Sequence, residues 1–259
     1  MRLTIALILL SFLACSHHVK QTSLLNEPVN DTGLTEVVYP KNSWQYFLQH
    51  LPTKNAPIVD YTGKPIINQT KHFAVIDYDV GRSDLQQCAD ALIRLRSEYL
   101  FAQKRYDEIG YHFCNGTYYS WNMYCKGLRP AFNKNITHWT TVSASEKTHA
   151  SLRKYLNIVY AYANTISLCK ELKPANDFEV GAVIIVSGSP GHTCIIIDEA
   201  TDANGEKLFK LAEGYMPAQS IYILSNPYEE SINPWYHLHK GELVTASCDF
   251  ISYELKKFE

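Results

Sequence analysis

The stretch SGSPGHTCIIIDEA, residues 187–200, decides how the chain is read. A turn rich in glycine and proline gives way to a histidine, then to an apolar run that ends in two acids. A short apolar run bounded by turn residues reads as a buried strand. In an extended strand His192, Cys194, Ile196 and Asp198 share one face, and Thr193, Ile195 and Ile197 share the other. Gly188 and Gly191 permit tight backbone turns, so the histidine enters at a strand end.

Working outward, residues 181–186, 207–211, 219–224 and 243–248 form further short strand-like runs separated by turns. Upstream lie two long stretches of helical periodicity. The first spans 84–109 with Ser83 as its cap; the second spans 145–172 and stops before Pro174. A shorter helix is expected over 42–51 and a strand over 72–78. Asn115-Gly116 between two aromatic runs signals a hairpin. Helices followed by a mostly antiparallel sheet give an α+β fold.

The first residues read as a targeting segment, not as part of the fold. A charged start at Arg2, an apolar core and Ala14-Cys15 describe a signal over 1–14, either of the lipoprotein type cut before Cys15 or an ordinary secretory one. Lipidation of Cys15 would tether the chain to membrane, each buried methylene contributing about 0.8 kcal/mol. Residues 15–38 lack an apolar face and read as a flexible tether, leaving 39–259 as a single domain. The net charge of −2 argues against nucleic acid as a partner. Six cysteines follow Cys15, enough for up to three disulfides in an exported protein, although buried thiols account for them as well. Their spacing offers no zinc pattern, and no cofactor is implied.

His192 is the candidate general base, since an imidazole titrates near neutrality. Glu213 or Gln219, on or after the next strands, would orient it. The nucleophile stays unassigned, with Cys125 and Ser167 as candidates. Thr165 is a further hydroxyl, and Cys169 on the apolar stripe reads as packing. Arg94 and Glu98, four apart on a helix, are expected to pair. With Tyr215, Gln219 and Trp121 they are candidate binding residues.

The order helix, strand of sequence GAVIIV, strand opened by histidine, then further strands resembles the core of the NlpC-type, papain-like cell-wall cysteine peptidases. That resemblance implies a nucleophilic cysteine at the start of the helix, the histidine at position 192, and a third polar residue one strand later. The helix start near 143–149 carries no cysteine, and Gly181-Ala182 departs from the family's Gly-Asp. Together ALIRLRSEYL, YLNIVYAYANTISLCKEL, SGSPGHTCIIIDEA and LAEGYMPAQSIYIL also resemble an uncharacterised family of bacterial lipoproteins, from about residue 37 onward. Two functions are therefore expected. One is an envelope lipoprotein that binds, and in the catalytic form hydrolyses, a cell-wall peptide or glycan. The other is a non-catalytic binding or scaffold lipoprotein whose cleft is formed by residues 111–121 and the Pro-Gly-His turn. In the catalytic form, replacing His192 is expected to remove turnover and leave thermal stability nearly unchanged.

Overall fold

A computed structural model describes residues 33–259, which lie in one compact unit. The expected signal segment, and most of the tether with Cys15, fall outside the described residues. The chain enters on strand β1 (Thr35–Glu36), passes through helix α1 (Trp44–Gln49) and strands β2 (Thr53–Lys54) and β3 (His72–Ile76), and then runs the long helix α2 (Cys88–Ala102). A hairpin of β4 (Gly110–His112) and β5 (Tyr118–Ser120) follows, then α3 (Trp121–Cys125) and a second hairpin of β6 (Leu128–Asn133) and β7 (Ile136–Thr141). Helices α4 (His149–Tyr162) and α5 (Thr165–Glu171) lead into β8 (Lys173–Pro174), β9 (Ala182–Val186), β10 (His192–Thr201), β11 (Lys207–Glu213) and β12 (Tyr222–Leu224). Short strands β13 (Leu243–Val244) and β14 (Asp249–Phe250) precede β15 (Glu254–Lys257).

Nine strands form the main sheet, in the order β2-β3-β12-β11-β10-β9-β15-β8, with β1 added against β10. The pairings within it are antiparallel. The fold is thus α+β with a mostly antiparallel sheet. β1 corrects the expected extent of the tether: Thr35 and Glu36 pair with Thr201 and Ala200, and the Val37 amide donates to the Glu199 carbonyl. Among the described residues the six cysteines are free thiols, and no helix is long and apolar enough to cross a membrane.

Both long helices differ from their expected extents, for identifiable reasons. The helix expected from residue 84 begins at Cys88 with Gln87 as its cap. Asp84 is drawn away to a tertiary partner, its carboxylate accepting from the Ala218 amide at 2.7 Å, while residues 83–87 form consecutive turns. The stretch 145–172 is two helices. The Asn164 side chain accepts from the amides of Ile166 and Ser167 and so starts α5 afresh.

Helix α2 is the spine. Every residue from Cys88 to Leu100 is buried, including Arg94, Arg96 and Glu98. The sheet touches it through β10 and β11, and the inserted segment covers it through α4 and α5. A helix enclosed on all sides needs no polar stripe, and its charges must find partners inside. Arg94 Nε meets Glu98 at 2.6 Å and its Nη2 meets Asp79 at 3.2 Å; His149 Nε2 also reaches Glu98 at 2.8 Å.

Gly214, directly after β11, sets how close this spine lies to the sheet. A Cβ there would stand 2.7 Å from the Ala91 Cβ and 3.1 Å from the Gln87 carbonyl oxygen. Neither is the tip of a flexible side chain, so the helix itself would have to move. Gly214→Ala is expected to cost about 1–3 kcal/mol through overpacking. Urea unfolding measures it; a change below about 0.5 kcal/mol, the size of an ordinary surface substitution, would show that the contact does not constrain α2.

Candidate functional site

His192 opens β10 opposite Val186 of β9. The turn before it is too tight for any other residue at position 191: a Cβ on Gly191 would lie 2.7 Å from the Gly188 carbonyl oxygen and 2.8 Å from that of Val186. Glu213 ends β11. Since Ile195 pairs with Ala212, Glu213 comes level with Cys194 and sits on the imidazole's side of the sheet. His192 Nε2 lies 2.8 Å from Glu213 Oε2. The carboxylate is fully buried and accepts a second hydrogen bond, from the Tyr222 hydroxyl. The Tyr215 ring packs 4.9 Å from the imidazole on one side, and Phe250 lies 5.6 Å away. The buried Lys71 ammonium stands 4.1 Å from the Tyr215 ring centre. Burial pulls its pKa down, and the charge of Glu213 opposes that.

Nε2 is committed to Glu213. Cys88, the first residue of α2, lies near enough to bear on the charge of the imidazole. Burial disfavours the charged imidazole, but hydrogen bonding to Cys88 and Glu213, with their charges, outweighs it and raises the His192 pKa to about 9. Cys88, His192 and Glu213 thus come from three elements: a helix start, a strand start and the end of the next strand. The first amides of a helix have no partner within it and carry about half a positive charge.

Cys88 faces a cleft of about 350 Å³. Its walls are the start of α2, the end of α4 with Asn164 and Thr165, the turn 188–191, and Met216. The residue itself is 5% exposed, so access runs along the cleft and not from open solvent.

The remaining candidates take other places. The Ser167 hydroxyl donates to the Asn164 carbonyl and accepts from the Asn164 amide, so it belongs to the cap of α5. Thr165 Oγ1 donates to Gly188 and steadies the turn before His192. Arg94 and Glu98 form the internal pair of the spine. Trp121 is fully buried, packed near Phe101 and Tyr106, and offers no surface to a ligand. Tyr111, Phe113 and Tyr119 are buried as well, so the aromatic stretch builds core. Gln219 is buried beside Asp60 and makes no contact with His192. Asp198 pairs with Lys210 at 2.8 Å. Cys125, the last residue of α3, and Cys169, whose thiol donates to Glu254, are held elsewhere.

Cys88 was the residue that sequence reasoning missed. Placing the helix start at Asp84 put Cys88 one turn inside, on the apolar stripe with Leu85 and Leu92. An available signal was the pairing of Gln87 with Asp90, since Asp90 Oδ2 accepts from the Gln87 amide at 3.1 Å and marks residue 87 as the cap.

Among the described residues, Asp202, Glu206 and His237 bring ligand atoms within 4.8 Å of one another. They sit at the turn after β10, the far end of that strand from His192. His237 Nδ1 is already engaged by Glu229 at 2.9 Å. No cation site is assigned there.

Over residues 27–257 the chain matches the family described as a domain of unknown function (4846), and it belongs to that family. No curated protein and no solved structure matches it.

An imidazole whose pKa rises from 6.5 to about 9 on folding stabilises the folded state fully below about pH 6.5, and that contribution fades as pH rises through about 9. The full effect is on the order of 3 kcal/mol. Unfolding free energy measured across this window is expected to fall in the wild type and to follow a flatter curve in His192→Gln. A wild-type curve that stays level from neutral pH to about 10 would contradict the assignment.

Proposed function

We propose that this member of the family is a cysteine hydrolase with a papain-like core, acting on amide bonds of cell-wall peptides from a lipid-anchored position in the bacterial envelope. The observation that carries the chemistry is His192 bonded to the buried Glu213 and close to Cys88, with Cys88 at a helix start in the wall of a cleft. The location and substrate class rest on the sequence of residues 1–15 and on the resemblance to NlpC-type peptidases. The helix that carries the cysteine is not the one directly before the histidine strand. The segment 110–172 is inserted between α2 and the β9–β10 pair.

In this reading the proton of the Cys88 thiol already resides on His192, as an imidazolium beside a thiolate, and the sulfur attacks the substrate carbonyl carbon. The amides at the start of α2 stabilise the tetrahedral oxyanion. The imidazolium, oriented by Glu213, returns the proton to the departing amine as the C–N bond breaks, which leaves a thioester on Cys88. Water, deprotonated by His192, then attacks the thioester; the acid product leaves and the thiol is restored. A non-catalytic binding role is the second reading, favoured by the near-closure of Cys88 and His192, at 5% and 9% exposure.

Labelled peptidoglycan peptides incubated with wild type and Cys88→Ser separate the two. Hydrolysis is expected from the wild type, with a loss of at least 10³-fold in the variant, the range seen when an essential nucleophile is removed. Binding without cleavage by both proteins would leave only the second reading. His192→Ala is expected to lose turnover as well, and also about 3–5 kcal/mol of stability, since it leaves the Glu213 carboxylate buried and unpaired. The buried pair thereby corrects the expectation of nearly unchanged stability.

A further inference from the structure

A second hollow, of about 540 Å³, opens on the inserted segment. The rings of Phe113, Phe132 and Tyr162 line it, with Cys114, Lys134 and Asn135 from the hairpin turns. Phe113 is 1% exposed, Phe132 is half-buried and Tyr162 is 40% exposed, so ring surface runs from the core out to solvent. The Phe132 and Tyr162 ring centres stand 4.1 Å apart, and Phe113 lies 5.4 Å from Tyr162 and 5.8 Å from Phe132. The rim is braced by the protein itself. The Asn115 side-chain amide, at the turn of the first hairpin, donates at 2.9 Å to both the Asn135 carbonyl and the Thr137 hydroxyl of the second. The Thr117 and Thr137 hydroxyls meet at 2.8 Å. A pre-formed hollow of this size, apolar within and polar at its edge, has the form of a small-molecule site.

Its lining selects among occupants. It contains no aliphatic side chain and no carboxylate. A cationic ligand finds no counter-charge there, and an acyl chain finds only rings. The flat, partly exposed faces of Tyr162 and Phe132 suit the apolar face of a pyranose, which is itself flat. Lys134, Asn135 and the Tyr162 hydroxyl are on exposed residues at the rim. The ammonium donates, while the amide and the hydroxyl both donate and accept, as sugar hydroxyls and acetamido groups require. A single lysine is too little charge to hold a nucleic acid backbone.

The hollow adjoins the Cys88 cleft. Tyr162 stands between Ala161 and Ala163 in the chain, and both of those line the cleft. One stretch of backbone at the end of α4 therefore walls both spaces, which lie on the order of a helix diameter apart, ~10 Å. A few residues of extended peptide, at ~3.3 Å each, span that distance.

We propose that this hollow binds a saccharide, the glycan that carries the cleaved peptide, with a sugar ring on Tyr162 and Phe132 and its polar groups bonded by Lys134 and Asn135. The identity of the occupant rests on the proposed cell-wall hydrolase; the site has its own chemistry and its own test.

Cys114 is an exposed thiol in the lining, so it reports occupancy directly. Iodoacetamide forms a carbon–sulfur bond to it with loss of iodide. The rate is read at the Cys114 peptide by mass spectrometry on the full chain and divided by that of N-acetylcysteine in the same tube. The β-1,4-linked tetramer of N-acetylglucosamine is expected to slow Cys114 several-fold. Tyr162→Ala should raise the concentration needed for half protection about tenfold. Lys134→Ala should raise it about threefold. A Cys114 rate untouched by the tetrasaccharide in the wild type, or equal protection in wild type and Tyr162→Ala, overturns the saccharide site. So does protection by an apolar tripeptide with none by the sugar. The assay needs no turnover, so the two readings fail separately: hydrolysis of peptidoglycan peptides by a protein whose Cys114 is never protected overturns the saccharide site alone, and a protected Cys114 without hydrolysis supports the site while the hydrolase falls.

Discussion

The bond between His192 and Glu213 is the constraint on which the rest depends. A carboxylate with no solvent exposure is tolerable only if its charge is met inside the protein, and the imidazole and the Tyr222 hydroxyl meet it. That requirement ties the start of β10 to the end of β11 and turns the ring so that one nitrogen is left free. Tyr215, Phe250 and Lys71 close over the pair and keep water out. The low-dielectric setting makes the pair strong and makes loss of either partner costly.

The second feature is how near Cys88 comes to that ring, and here the close seat of α2 matters. The helix can approach the sheet because Gly214, next to Glu213 in sequence, has no side chain. Ala91 fills the contact instead. The same two-residue step, Glu213-Gly214, thus provides both the orienting carboxylate and the gap that admits the helix carrying Cys88. The inserted segment 110–172 holds the outer side of that helix and supplies the opposite wall of the cleft through Tyr160 and Asn164.

Several elements were legible in the chain. The strand after the Pro-Gly-His turn, the Asn-Gly hairpin and the Arg94–Glu98 pair followed from periodicity and turn chemistry, because each is a local relation; for His192 the sequence offered Glu213 or Gln219, and packing chose Glu213. The start of α2 was marked locally only by the pairing of Gln87 with Asp90. Helical periodicity continues smoothly back through Leu85, while the Asp84 carboxylate is held by the Ala218 amide, 134 residues away. The break between α4 and α5 was missed for a different reason: Asn164 reads as an ordinary polar residue until its side chain is seen capping two amides.

By itself, then, the amino-acid order determined the α+β class, the strand that begins with His192 and the turn that delivers it, since hydrophobic period and glycine conformational freedom act over a few residues. Tertiary structure alone decided which cysteine meets that histidine, because six thiols were available and only packing brings one of them to a helix start beside the ring. It also decided that Asp90 and Tyr160, 70 residues apart in the chain, are both buried beside one cleft. Burial is a property of the whole fold, and the chemistry of both groups follows from burial.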